Sequence, residues 1–153
     1  MSGKFQRGCR VVLLVEDDLE MRLLLSKVLQ SDGCSVIECK DGIDLYERVS
    51  PLLNGNNDMD FDLIVTDIRI PVITGMDVIE GLSEVKNIPP VIVIIASDDT
   101  SYRERVRRLG VSSIIDKPFN LEQFRQIIRN TISTFGSVQI KGSKHDFKRT
   151  FSK

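Results

Sequence analysis

Five short apolar runs punctuate the sequence, and a longer stretch with helical spacing follows each one: VVLLV from Val11, SVIEC from Ser35, LIVT from Leu63, VIVIIA from Val91 and SSIID from Ser112. Runs this short read as strands: LIVT, like the fully apolar first run, as one buried on both faces, and SVIEC, partly alternating, as an outer strand. Parallel strands joined through helices need crossover connections, so the alternation predicts a five-stranded parallel sheet with helices on both sides. The first and third runs give way directly to acids. The first ends in Glu16, Asp17 and Asp18; the third ends in Asp67, with Pro71 four residues on and Gly75 eight residues on. The fifth is followed by Lys117-Pro118. In open α/β sheets the C-terminal edge of the strands is where ligands bind.

The intervening stretches have recognisable starts and stops. Met21, Leu24, Leu25, Val28 and Leu29 give the first helix its apolar stripe, with Asp18 placed to cap it and Gly33 to end it. A second helix bearing Leu45 and Val49 follows Asp41-Gly42, and Pro51 with NGNNDMD is expected to disturb its end and open a surface loop over residues 51 to 60. Thr74 caps a third helix with Val78, Ile79, Leu82 and Val85 inward, weakened by Gly81. Tyr102, Val106 and Leu109 line a fourth that stops at Gly110. Asn120 and Gln123 form a capping-box-like start to the fifth, which buries Phe124, Ile127, Ile128 and Ile132 and is expected to end at Gly136.

Composition narrows the function classes. The 153 residues are 41% hydrophobic and 28% charged, the balance of a globular domain with a core. No apolar stretch is long enough to span a membrane and none resembles a signal peptide, so a cytoplasmic protein is expected. Cys9, Cys34 and Cys39 lack metal-ligand spacing, and the single histidine is His145. The net charge of −1 conceals an asymmetry, since residues 137 to 153 carry +4 and residues 1 to 136 carry −5. Residues 1 to 9 read as an extension, 10 to 136 as the domain and 137 to 153 as a basic, flexible tail. The tail has no helix-turn-helix pattern, so nucleic-acid binding is not expected.

Glu16, Asp17, Asp67 and Lys117 converge only if the first strand lies beside the third, as in the doubly wound order 2-1-3-4-5. An acidic pair after strand one, a lone Asp ending strand three with Pro and Gly behind it, and Lys-Pro-Phe after strand five resemble a response-regulator receiver domain of two-component signalling. The resemblance covers residues 10 to 135 and implies a flavodoxin-like three-layer α/β sandwich. It implies Asp67 as phosphoacceptor and Lys117 as the cation on a phosphoryl oxygen. It implies Mg2+ held directly by Asp17, Asp67 and the backbone carbonyl of Arg69 and through water by Glu16, and a cis bond at Lys117-Pro118. The chemistry agrees: a carboxylate attacks phosphorus poorly unless a divalent cation neutralises the oxygens. The donor would be a sensor histidine kinase or a phosphotransfer protein, and the output a contact with an unknown downstream protein. Such a chain would be a monomer or weak homodimer, and would catalyse only its own phosphorylation and dephosphorylation.

Two positions depart from the family pattern. The Thr or Ser that ends strand four falls on Ile95, and the aromatic three residues before the lysine falls on Ile114. Isoleucine donates no hydrogen bond, so the usual switch is missing, although Ser97 offers a hydroxyl just beyond the strand. A pseudo-receiver, whose partner binding is not governed by phosphorylation, is therefore the rival reading. A hydrolase of the haloacid-dehalogenase type is disfavoured, because the second residue after Asp67 is Arg69 rather than an acid.

Overall fold

The computed structural model describes residues 10–56, 60–71 and 74–141. Ten elements alternate along the chain: β1 (Arg10–Val15), α1 (Leu19–Ser31), β2 (Cys34–Cys39), α2 (Gly42–Leu53), β3 (Leu63–Asp67), α3 (Gly75–Leu82), β4 (Val91–Ala96), α4 (Thr100–Arg108), β5 (Ser113–Lys117) and α5 (Leu121–Lys141). The strands are all parallel, in the expected order β2-β1-β3-β4-β5. The chain is therefore a doubly wound α/β sandwich.

Strand alternation divides the core. Leu13, Val15, Ile64, Val93 and Ile95 face α2, α3 and α4, where they meet Leu45, Val49, Met76, Ile79 and Val106. Val12, Leu14, Leu63, Val65, Ile92 and Ile94 face α1 and α5, packing on Leu25, Leu29, Phe124 and Ile128. Burial on both faces explains why the central strands carry no polar residue until they reach the C-terminal edge. Register then determines what meets there. Val15 pairs with Thr66, so Glu16 and Asp67 emerge side by side, while Ala96 pairs with Lys117 two strands further on.

Several expectations change. The second helix does not fail at Pro51 but runs to Leu53, burying Leu52. Proline removes the N–H that would bond the Glu47 carbonyl, and the Ser50 hydroxyl donates to that carbonyl instead, at 3.4 Å. The last helix does not end at Gly136; it continues to Lys141, so residues 137–141 of the expected tail are helical. Leu24 is not a core residue, being 43% exposed on α1. Val85 lies past the end of α3, yet still packs against the core. The expected N-terminal extension with Cys9, residues 57–59 of the loop, and His145 with residues 142–153 lie outside the described residues. Among the described residues no helix is long and apolar enough to cross a membrane.

Phe124 is fully buried where α5 meets the sheet. Phe124→Ala is expected to lower the free energy of unfolding by about 3–5 kcal/mol, read from the urea midpoint.

Candidate functional site

Each site residue is delivered by a strand end. Glu16 leaves β1 with its N–H on the Cys39 carbonyl (3.1 Å) and its own carbonyl held by the Arg22 guanidinium (2.8 Å). Arg22 also bonds Glu38 on β2 at 3.1 Å, so one α1 side chain pins the first acid to its neighbouring strand. No sequence signal singled out Arg22, because an arginine among helical polar residues looks like any solvated one.

Asp67 is the last residue of β3 and is 5% exposed. Its Oδ1 accepts from the Arg69 N–H (3.0 Å) and its Oδ2 from Lys117 Nζ (2.6 Å). The chain beyond it must turn tightly. Gly75 donates its N–H to the Ile68 carbonyl at 3.2 Å, and a Cβ on Gly75 would stand 2.9 Å from the Asp67 carbonyl. That contact gives a reason for glycine eight residues after the acid. Thr74 and Asp77 then close a reciprocal capping box at the start of α3.

Glu16, Asp17 and Asp67 bring one carboxylate oxygen each to within 4.8 Å of one another. Glu16 is only 2% exposed. Its Oε2 accepts from the Asp18 N–H at 3.1 Å, while Oε1 is buried without a hydrogen-bond partner, 4.0 Å from Lys117 Nζ. Burial pushes the Glu16 carboxyl up to about 7, and the charges of Asp67 and Asp17 push the same way against the Asp18 N–H and Lys117. Lys117 loses some preference for its charge through burial, but contact with Asp67 and the field of Glu16 and Asp17 outweigh that and raise its pKa. Three clustered acids, one of them with a buried oxygen that no donor bonds, are a donor set that fits a hard divalent cation.

The other expected positions lie around this centre. Lys117-Pro118 is cis. Ser97 is exposed, and its N–H bonds the Lys117 carbonyl at 3.2 Å, which seats the β4–α4 loop beside the lysine. Ile95 is fully buried and Ile114 packs against the same face of the core. The Arg69 side chain turns away from Asp67 to a partner the sequence did not suggest, Asp99, at 2.9 Å from both Nε and Nη2. Cys34 and Cys39 are buried at the two ends of β2, and burial pushes the Cys39 thiol up to about 12, so it stays protonated.

The response regulator receiver domain family matches residues 12–129. The chain belongs to that family. The receiver fold recurs in the non-phosphorylated HemR receiver domain from Leptospira biflexa, with a TM-score of 0.66 and 30% identity over 81% of this chain and 94% of that one. A receiver domain of a LuxO-type repressor from Vibrio parahaemolyticus superposes with a TM-score of 0.74 at 18% identity, over 88% and 99% of the two chains. Among curated proteins, the transcriptional regulatory protein CpxR of Escherichia coli is 32% identical over 78% of this chain and 50% of its own length. The Regulator of RpoS of Escherichia coli is 30% identical over 76% of this chain and 33% of its own length. This receiver thus spans about a third to a half of those two relatives. Receiver domains bind Mg2+ at an acidic pocket, and the acidic cluster here is Glu16, Asp17 and Asp67.

Two outcomes test this geometry. An acid whose pKa is raised by folding destabilises the fold once it ionises, so stability should fall as pH rises from 4.5 toward 7 and level off above. In metal-free buffer Glu16→Gln is therefore expected to gain about 2 kcal/mol over wild type above pH 7 and nothing below pH 4.5, by urea unfolding. Gly75→Ala should lower stability by about 1–3 kcal/mol and shift the Asp67–Arg69 amide resonances, because the backbone on which the Cβ would press cannot move aside cheaply.

Proposed function

We propose that this receiver is a Mg2+-dependent phosphoacceptor that takes a phosphoryl group on Asp67 and signals through protein contacts. The observation that carries this is the meeting of Glu16 and Asp17 with Asp67, and Lys117 Nζ 2.6 Å from the Asp67 Oδ2. Asp17, Asp67 and Glu16, with the Arg69 carbonyl, would hold the ion. When bound, the divalent cation neutralises phosphoryl oxygens, so that a carboxylate can approach phosphorus.

The remaining work belongs to the chain. The Arg69 N–H fixes the orientation of the Asp67 carboxylate for in-line attack. Lys117, the counter-ion of Asp67 before transfer, would move to a phosphoryl oxygen as that oxygen becomes the richer acceptor. Glu16 and Asp17 keep the centre negative enough to hold a cation between transfers. The donor would be a phosphohistidine on a sensor kinase or phosphotransfer protein, and the bond from nitrogen to phosphorus breaks as the bond from Asp67 forms. No separate substrate is turned over. A cytoplasmic monomer or weak homodimer suits such a relay, and the transcriptional roles in the names of its relatives suggest an output in gene control through a downstream partner. Direct nucleic-acid contact is not part of the reading.

A pseudo-receiver is the competing account, and the fully buried Ile95 with Ile114 favours it, since neither can answer a phosphoryl group by hydrogen bonding. Incubation with acetyl phosphate and Mg2+, followed by intact-mass measurement, separates the two. A phosphoryl adduct is expected in wild type and absent in Asp67→Asn. Lys117→Ala should slow its formation by about 10²-fold or more. An adduct in Asp67→Asn excludes Asp67 as acceptor, and none in wild type favours the pseudo-receiver.

A further inference from the structure

Four of the five helices are capped in the same way, by a side chain that accepts from the N–H three residues on. Asp18 accepts from Met21 (2.8 Å), Asp41 from Asp44 (2.9 Å), Thr74 from Asp77 (3.1 Å) and Asn120 from Gln123 (2.7 Å). The exception is α4. Its N-cap residue is Asp99, a capable capping residue that makes no side-chain cap bond. The Asp99 carboxylate is engaged elsewhere: Oδ2 accepts from the Arg69 guanidinium at 2.9 Å, and the Ser101 hydroxyl approaches Oδ1 at 3.4 Å. Arg69 stands two residues from Asp67 with its own N–H on Asp67 Oδ1. One carboxylate thus pairs with the arginine of the phosphoacceptor loop and leaves α4 without a side-chain cap.

The exposures make the pair asymmetric. The Arg69 side chain is 67% exposed and the Asp99 side chain 6%. Arginine can swing away at little cost, whereas a buried carboxylate left behind must find a new donor. The nearest by helix geometry is the Tyr102 N–H, which holds the position that the capped N–H holds in the other four helices. Tyr102 also carries the Arg69 guanidinium over its ring, 5.3 Å from the centroid, with Arg105 at 5.9 Å. Arg105 in turn bonds Glu80 on α3 at 2.6 Å, so a move of Arg69 reaches two helices.

Resting on the phosphoacceptor reading, the geometry points to Arg69–Asp99 as a phosphorylation-sensitive latch that stands in for the missing hydroxyl and aromatic switch. A phosphoryl group on Asp67 replaces the single carboxylate charge with close to two and adds three acceptor oxygens near Arg69. The guanidinium leaves Asp99 for the phosphoryl oxygens, Asp99 turns to the Tyr102 N–H, and the start of α4 is rewritten from uncapped to capped. Arg69 is a positioning residue in this scheme, and the signal is carried by which donor Asp99 holds.

Amide exchange at Tyr102, followed by NMR with Mg2+ and beryllofluoride, tests this, and bound fluoride seen by its own resonance reads occupancy of Asp67 separately. In wild type the Tyr102 amide should gain about tenfold protection when beryllofluoride binds. Arg69→Gln should show that protection without beryllofluoride, and Asp99→Ala should show it in neither state. Bound fluoride with no change at Tyr102, or Arg69→Gln with the low protection of resting wild type, overturns the latch and leaves the phosphoacceptor reading in place. No bound fluoride in wild type overturns the phosphoacceptor reading and the latch's trigger together.

Discussion

A carboxylate buried beside two others, with one oxygen lacking a hydrogen-bond donor, is the constraint on which the rest of the site depends. Glu16 Oε1 is that oxygen, and the Lys117 ammonium 4.0 Å away offsets part of its cost. Like charges gathered at a partly dry edge are expensive, and stable proteins keep such arrangements chiefly where the cluster has work to do. Cation binding converts the same repulsion into affinity.

The sheet makes this possible by being unremarkable. Two apolar clusters, one on each face, hold β1 and β3 in a register that leaves no freedom at their ends. Acids can then be placed at the edge without any role in packing. The loops carry the finer adjustments: Gly75 lets the chain fold back onto Asp67, Arg22 ties Glu16 to β2, and Ser97 joins the β4–α4 loop to Lys117. The same β4–α4 loop presents Asp99 to Arg69, so chemistry at Asp67 and the start of α4 are joined by one ion pair.

Much of this was legible in the residues. The central strands follow from apolar runs that give way to acids, because burial on both faces leaves few alternatives, and the strand order from the need to bring Glu16, Asp17, Asp67 and Lys117 together. Helix ends were harder to read. Pro51 and Gly136 each signal a stop, yet both helices continue, since the Ser50 hydroxyl serves the Glu47 carbonyl in one case and α5 continues to Lys141 in the other. Leu24 fits the helical stripe of α1 but lies on its flank, where spacing alone does not separate a core position from a border one. The Arg69–Asp99 pair was invisible for a different reason: its partners are 30 residues apart, and no local pattern links a loop arginine to a helix cap in another part of the chain.

The measurement that bears most directly on the acidic cluster is the Mg2+ dependence of stability. Urea unfolding of wild type at pH 7.5 should shift to higher midpoint as Mg2+ is raised, approaching about 1.4 kcal/mol for each tenfold of free ion above its dissociation constant. Asp17→Asn should lose most of that dependence, since it removes a proposed ligand from an exposed position without disturbing the core. A wild-type midpoint that does not move with Mg2+, or one that moves equally in Asp17→Asn, would contradict the claim that these carboxylates form a cation site.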